Sequence, residues 1–196
     1  MMYKLGKAFF YFLFTYICRW KVRGADNVPQ KGPAVIVSNH LSLWDPLVVG
    51  AAVKRRVYFM AKAELFRYPL VGIIVRSWGA FPVKRGRLDR EALKNAMRVL
   101  QRGDVLGIFP EGRRSVTGKL QEFKPGAVSL AVKYGAPIVP VGLIGTKKIF
   151  YRGWFRSFEV NIGEPIPTKE FKNKDADIEK LNRMVWEKVA ELSGQK

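Results

Sequence analysis

Buried-type strands alternate with amphipathic helical stretches along this chain, and that alternation restricts the fold more than any other feature. A β-branched run at residues 34–38 leads through a polar turn to a helical pattern at 46–53. Strand patterns follow at 56–61, 105–109, 138–144 and 158–162, with helical patterns at 88–102, 127–134 and 178–192. The helix at 88–102 sets Leu88, Ala92, Ala96, Val99 and Leu100 on one side and stops at Gly103. Short strands are expected at 21–23 and 79–83, and the apolar stretch from Leu65 through Leu70, Ile73 and Ile74 to Trp78 fits core packing or one wall of an acyl-chain groove. This order predicts an α/β fold: a central mixed, largely parallel sheet covered by helices. The 196 residues, 48% of them hydrophobic, are enough for one core.

The turn after the first long strand carries the chemistry. Asn39-His40-Leu41-Ser42-Leu43-Trp44-Asp45 holds the only histidine and, five residues on, a carboxylate where a helix begins. Histidine changes charge near physiological pH and suits proton abstraction. A carboxylate on its far nitrogen would fix the tautomer and stabilise the imidazolium. Residues five apart on one continuous helix point about 140° away from each other, so His40 and Asp45 meet only if the chain turns between them. Ser42 and Pro46 supply helix-start chemistry for such a turn. A plainer reading stands beside this one: Ser42-Leu43-Trp44-Asp45 fits a capping box, and Asp45 before Pro46 fits an N-cap.

Charge narrows the partners. Lys and Arg number 35 against 16 Asp and Glu, a formal charge of +19, which favours nucleic acid, an anionic membrane, an acidic carrier or a phosphorylated substrate. One cysteine, Cys18, excludes an internal disulfide, and one His with one Cys leaves little for a zinc site, so no metal is expected.

Residues 8–18 carry no charge and are bracketed by Lys7 and Arg19. Eleven helical residues reach about 16 Å, half of a bilayer core, and no small-residue cleavage site follows. A buried core helix is one reading. The preferred one is an interfacial membrane helix over residues 1–20, inserted in one leaflet with its cationic ends on anionic head groups, attached to an α/β domain over 21–196.

The loops resemble the glycerolipid acyltransferase family, most closely the 1-acylglycerol-3-phosphate acyltransferases. Four blocks carry the resemblance: His40-x4-Asp45; Gly79-Ala80-Phe81-Pro82-Val83-Lys84-Arg85; Phe109-Pro110-Glu111-Gly112-Arg113-Arg114-Ser115; and Ile138-Val139-Pro140-Val141. The match runs over about residues 22–141, and Arg113 stands where threonine is common in the family, adding charge beside the expected phosphate site. The resemblance implies transfer of a fatty acyl group from an acyl-carrier-protein or coenzyme A thioester to lysophosphatidic acid, giving phosphatidic acid, with no cofactor. His40 would be the general base, oriented by Asp45. Arg85 and Arg114, then Lys62, would bind the acceptor phosphate, with Glu111 and Gly112 shaping the loop, Glu111 by holding an arginine or accepting from a substrate hydroxyl. Cys18 lies in the apolar segment and Ser42 is explained by capping, so direct transfer without an acyl-enzyme is expected. A bacterial inner-membrane enzyme, monotopic or peripheral on the cytoplasmic face, fits these features.

Two alternatives remain open at this point. Glycerol-3-phosphate or another lysolipid would use the same chemistry. A non-catalytic basic protein binding membrane or nucleic acid would use the charge and the stretch at 147–156, which interleaves Lys147, Lys148, Arg152 and Arg156 with Phe150, Tyr151, Trp154 and Phe155. A nucleic-acid binder needs neither the His40 turn nor an uncharged aromatic helix, so nucleic acid is not an expected partner.

Overall fold

In the computed structural model, which describes residues 2–84, 89–172 and 174–195, the core is a seven-stranded sheet. Its strands are β1 (Lys21–Arg23), β2 (Ala34–Ser38), β3 (Val57–Lys62), β4 (Phe81–Val83), β5 (Val105–Ile108), β6 (Ile138–Ile144) and β9 (Glu159–Ile162), in the order β1-β9-β6-β2-β5-β3-β4. A separate two-stranded hairpin pairs β7 (Phe150–Tyr151) with β8 (Trp154–Phe155). All neighbours in the large sheet are parallel except β6 and β9. The sheet is therefore mixed and largely parallel, as the alternation of elements implies.

Successive strand residues point to opposite faces, and the β-branched runs fill both. Ile36 of β2 packs with Val48 and Val49 of α2 (Asp45–Ala52) on one face. Val35 and Val37 pack on the other face with α4 (Arg90–Gln101), α5 (Gly126–Lys133) and α6 (Asp175–Leu192). Such two-sided burial explains why β2 reads as a continuous apolar run rather than an alternating one. Adjacent strands β2 and β5 send their following helices, α2 and α5, to opposite faces. That divergence opens a crevice at the carboxyl ends of these strands, where ligand sites of open α/β sheets form.

The apolar segment at 65–78 is divided by Pro69: a 3-10 turn (Ala63–Arg67) precedes α3 (Pro69–Ser77). Leu70, Ile73 and Ile74 are exposed while Trp78 turns inward against Tyr3 and Phe10. At the N-terminus α1 (Met2–Phe12) continues into a π-helical turn (Leu13–Ile17). Phe14 is fully buried and meets Phe158 edge-on at 5.2 Å, and Lys7 Nζ donates to the Val53 and Lys54 carbonyls. The opposite side exposes Leu5, Phe9, Phe12 and Tyr16. One face of this helix thus belongs to the core and the other is open. Among the described residues no helix is long and apolar enough to cross a membrane.

Candidate active site

Strand β2 ends at Ser38, and the next two residues are locked in place. Asn39 is fully buried; its side chain donates to the Leu143 carbonyl (2.9 Å) and accepts from the Leu143 N–H (2.8 Å), tying the turn to β6. His40 Nδ1 lies 2.8 Å from Asp45 Oδ2. The same oxygen accepts from the backbone N–H groups of Leu41 (2.6 Å) and Ser42 (2.7 Å). The chain therefore turns back on itself, and Asp45, at the positive end of α2, aims its carboxylate at the imidazole. The simple N-cap reading of Asp45 fails: the N-cap residue is Trp44, without a side-chain cap. Ser42 does serve the turn, its Oγ accepting from the Trp44 N–H at 3.3 Å.

The loop after β5 holds His40 from behind. The His40 N–H donates to Glu111 Oε1 (2.8 Å), and the His40 carbonyl accepts from the Ser115 N–H (2.8 Å). The Phe109 ring stacks on the imidazole at 4.2 Å between centroids, and Phe59 stacks on Phe109 at 5.7 Å. Phe59 reaches that position because Gly107 has no side chain; a Cβ there would stand 2.2 Å from the Phe59 ring. Gly112 closes the turn, its N–H donating to the Phe109 carbonyl at 3.0 Å with a left-handed φ of 72°.

Glu111 itself is buried, and burial is the main cause that pushes its carboxyl above the ordinary value, against the opposing hydrogen bonds. Its second oxygen accepts from Gln121 Nε2 at 2.6 Å; Gln121 Oε1 in turn accepts from Arg113 Nε at 3.0 Å. The Gln121 carbonyl is held by the Trp186 indole of α6 at 3.0 Å. Glu111 binds no arginine directly among the described residues; Gln121 stands between them. No periodicity or motif marks Gln121 in the sequence, since it lies in an irregular loop ten residues beyond its partner.

Lys62 and Arg114 stand at and beyond the ends of neighbouring parallel strands and are held differently. Lys62 ends β3 opposite Val83 of β4 and makes an exposed pair with Glu64 at 3.4 Å, an interaction of little energetic weight. Arg114 is exposed and makes no ion pair among the described residues. Arg85 lies outside the described residues, just beyond the end of β4. Cys18 is buried away from water, which pushes its thiol up to about 11 and leaves it a poor nucleophile. Among the described residues no three His, Cys, Asp or Glu side chains are grouped to hold a metal ion.

The Acyltransferase family pattern matches residues 19–144. A 1-acyl-sn-glycerol-3-phosphate acyltransferase of Bacillus subtilis (strain 168) is 32% identical over 155 residues, which cover 77% of this chain and 75% of that protein. A chloroplastic protein of the same description from Brassica napus is 37% identical over 67% of this chain. The chain spans only 39% of that plant protein's length. The crystal structure of the 1-acyl-sn-glycerophosphate (LPA) acyltransferase PlsC from Thermotoga maritima superimposes with a TM-score of 0.76 at 31% identity, over 100% of this chain and 79% of that one.

Proposed function

The chain belongs to the Acyltransferase family, and from that premise we propose that it moves a fatty acyl group from an acyl thioester to the free hydroxyl of 1-acyl-glycerol-3-phosphate, giving phosphatidic acid. The observation that carries this reading is the 2.8 Å contact between His40 Nδ1 and Asp45 Oδ2 at the strand-end crevice. With Nδ1 engaged by the carboxylate, Nε2 holds the lone pair. It takes the proton of the acceptor hydroxyl as that oxygen bonds to the thioester carbonyl carbon. Collapse of the tetrahedral intermediate breaks the C–S bond, and the imidazolium returns the proton to the departing sulfur. The Asp45 carboxylate opposes the transient positive ring.

Arg114, Arg85 and Lys62 are the cations for the acceptor phosphate, which guanidinium groups grip in a bidentate way. Glu111 and Gly112 act on the acceptor through the shape of the loop, since Glu111 already serves the His40 amide and Gln121. Arg113 is engaged by Gln121, which leaves Arg114 as the open guanidinium of the pair. The co-substrate is an acyl-carrier-protein or coenzyme A thioester, either of which suits the basic surface, and no further cofactor takes part. The N-terminal helix lies against the cytoplasmic face of the inner membrane as a monotopic or peripheral anchor, with Leu5, Phe9, Phe12 and Tyr16 toward lipid.

The test is incubation of the purified protein with labelled acyl thioesters and three acceptors: 1-acyl-glycerol-3-phosphate, glycerol-3-phosphate and a phosphate-free lysolipid. Mass identification should return phosphatidic acid from the first, and none with His40→Ala. Product from glycerol-3-phosphate alone would change the acceptor, and transfer by His40→Ala at the wild-type rate would remove His40 from the mechanism.

A further inference from the structure

The β7–β8 hairpin takes no part in the chemistry above, yet it is built in an unusual way. Phe150 stands opposite Phe155 and Tyr151 opposite Trp154. Successive residues of a strand face opposite ways, so the first pair lies on one face of the hairpin and the second pair on the other. All four side chains are exposed, Trp154 at 72%. Both faces of this hairpin therefore present exposed aromatic rings.

Its tip and base are cationic. The turn Arg152-Gly153 has left-handed φ at both residues, 52° and 80°, a geometry that Asn-Gly or Asp-Gly adopts with least strain. An arginine held there against its backbone preference points to a use for the charge. Arg152 and Lys148 lie over the Tyr151 ring at 5.4 and 5.7 Å, and Lys147 donates to the Val116 carbonyl in the loop that bears Arg114. The base is rooted in the core: Ile149 is fully buried, and its carbonyl accepts from the Arg156 N–H at 2.8 Å. Phe158, just beyond, packs against Phe14 of the N-terminal segment. The hairpin and that helix therefore share one foundation.

We propose that this hairpin dips into the interface of an anionic bilayer as a second point of attachment. Two points fix the angle at which the strand-end crevice meets lipid, which one helix alone leaves free. A protein partner would cover one face of the hairpin, whereas an interface surrounds both. Trp and Tyr favour the head-group level, and the cations at tip and base meet anionic head groups there. Single-stranded nucleic acid could stack on the rings but gains nothing from the exposed aromatics of the neighbouring helix. This goes beyond the anchoring role assigned to the N-terminal helix and stands or falls separately from it.

The experiment is flotation of the full chain with phosphatidylglycerol/phosphatidylethanolamine vesicles and with pure phosphatidylcholine vesicles. The double substitution Phe150→Ser/Trp154→Ser should lower the partition constant by about tenfold or more on the anionic vesicles. Arg152→Asn relieves the turn, so its folding is not in question; it should bind anionic vesicles about fivefold more weakly and phosphatidylcholine unchanged. Circular dichroism checks the fold, and if the double variant unfolds, Arg152→Asn decides. Wild-type binding by folded hairpin variants, with loss only in Phe9→Ser/Phe12→Ser, would overturn the proposal and leave the helix as sole anchor. Unchanged flotation of the hairpin variants with weakened retention of an acidic carrier protein or single-stranded RNA would equally overturn it.

Discussion

Two groups of polar residues border the ends of neighbouring parallel strands and are held in opposite ways. In the His40 turn the imidazole Nδ1, the backbone amide and the backbone carbonyl all have partners, and the ring is stacked on Phe109. Arg114 is exposed without an ion pair among the described residues, and Lys62 has only a solvent-exposed one. On the proposed mechanism, the group that takes the hydroxyl proton is fixed before substrate arrives, so orienting it costs nothing during the reaction. The cations proposed to meet a phosphate are left for the ligand to order. Rigidity is concentrated on the proposed base, and adaptability on the cations proposed for recognition.

The largest effects should come from the rigid group. His40→Ala removes the base and should lower kcat by about a thousandfold or more. Asp45→Asn keeps an oxygen for the Leu41 and Ser42 amides but loses the charge opposite the ring. A fall in kcat on the order of a hundredfold to ten-thousandfold follows, read in single-turnover assays with little change in KM.

On the adaptable side, Arg114→Ala should reduce kcat/KM for the phosphorylated acceptor by roughly ten- to a hundredfold, as its charge-assisted contact with the phosphate is lost. A phosphate-free lysolipid should be used as before. Equal losses on both acceptors would mean that Arg114 holds its loop, and the contrast between the groups would break down.

The stack behind His40 offers a sharper probe. Gly107→Ala drives a Cβ into the Phe59 ring and should cost about 1–3 kcal/mol in urea unfolding. Rates should fall as well, because Phe59 leans on Phe109 and Phe109 on the imidazole. Adding Phe59→Leu should recover part of both losses.

The smallest effect concerns Glu111, whose carboxyl burial raises above the ordinary 4.5. The folded protein then holds this proton more tightly than the unfolded chain does. That contribution to stability is complete below pH 4.5 and is lost as pH rises through the raised value. Glu111→Gln cannot ionise, so the stability of wild type relative to the variant should decline with pH above 4.5 and be level below it. A difference that stays flat across this window would show that Glu111 is not held in the dry setting described above.

Much of this architecture is legible in the sequence. Strands 34–38 and 138–144 coincide with β2 and β6 because both are buried on two sides and bounded by turn residues. For His40 and Asp45 the helix-start residues Ser42 and Pro46 show that a turn is available, while the choice between the contact and a plain cap is made only in the structure. The Gln121 relay is not legible: its meaning lies in contacts with Glu111, Arg113 and Trp186 made by an irregular loop. The hairpin at 150–155 shows its bases and aromatics but not its turn, since Arg152-Gly153 lacks the usual Asn-Gly cue. Helix α6 begins at Asp175, three residues before its first buried residue, Ile178, because Asp175 and Asp177 suit a helix's first turn without adding to the apolar pattern. The membrane role proposed for residues 1–20 concerns a helix whose buried face, centred on Phe14, a pattern of uncharged aromatics could not separate from its open one.

The place of β1 in the sheet also sets an order of events during synthesis. Its partner is β9, and Arg23 bonds Glu159 across 136 residues of chain. At about 5–20 residues per second, the ribosome needs roughly seven to twenty-seven seconds to deliver that partner, along with the Phe158 against which Phe14 packs. For all that time the aromatic N-terminal helix has emerged with its protein seat unbuilt. If a bilayer lies nearby, lipid is the first apolar surface on offer, and the domain would assemble on a segment already at the membrane.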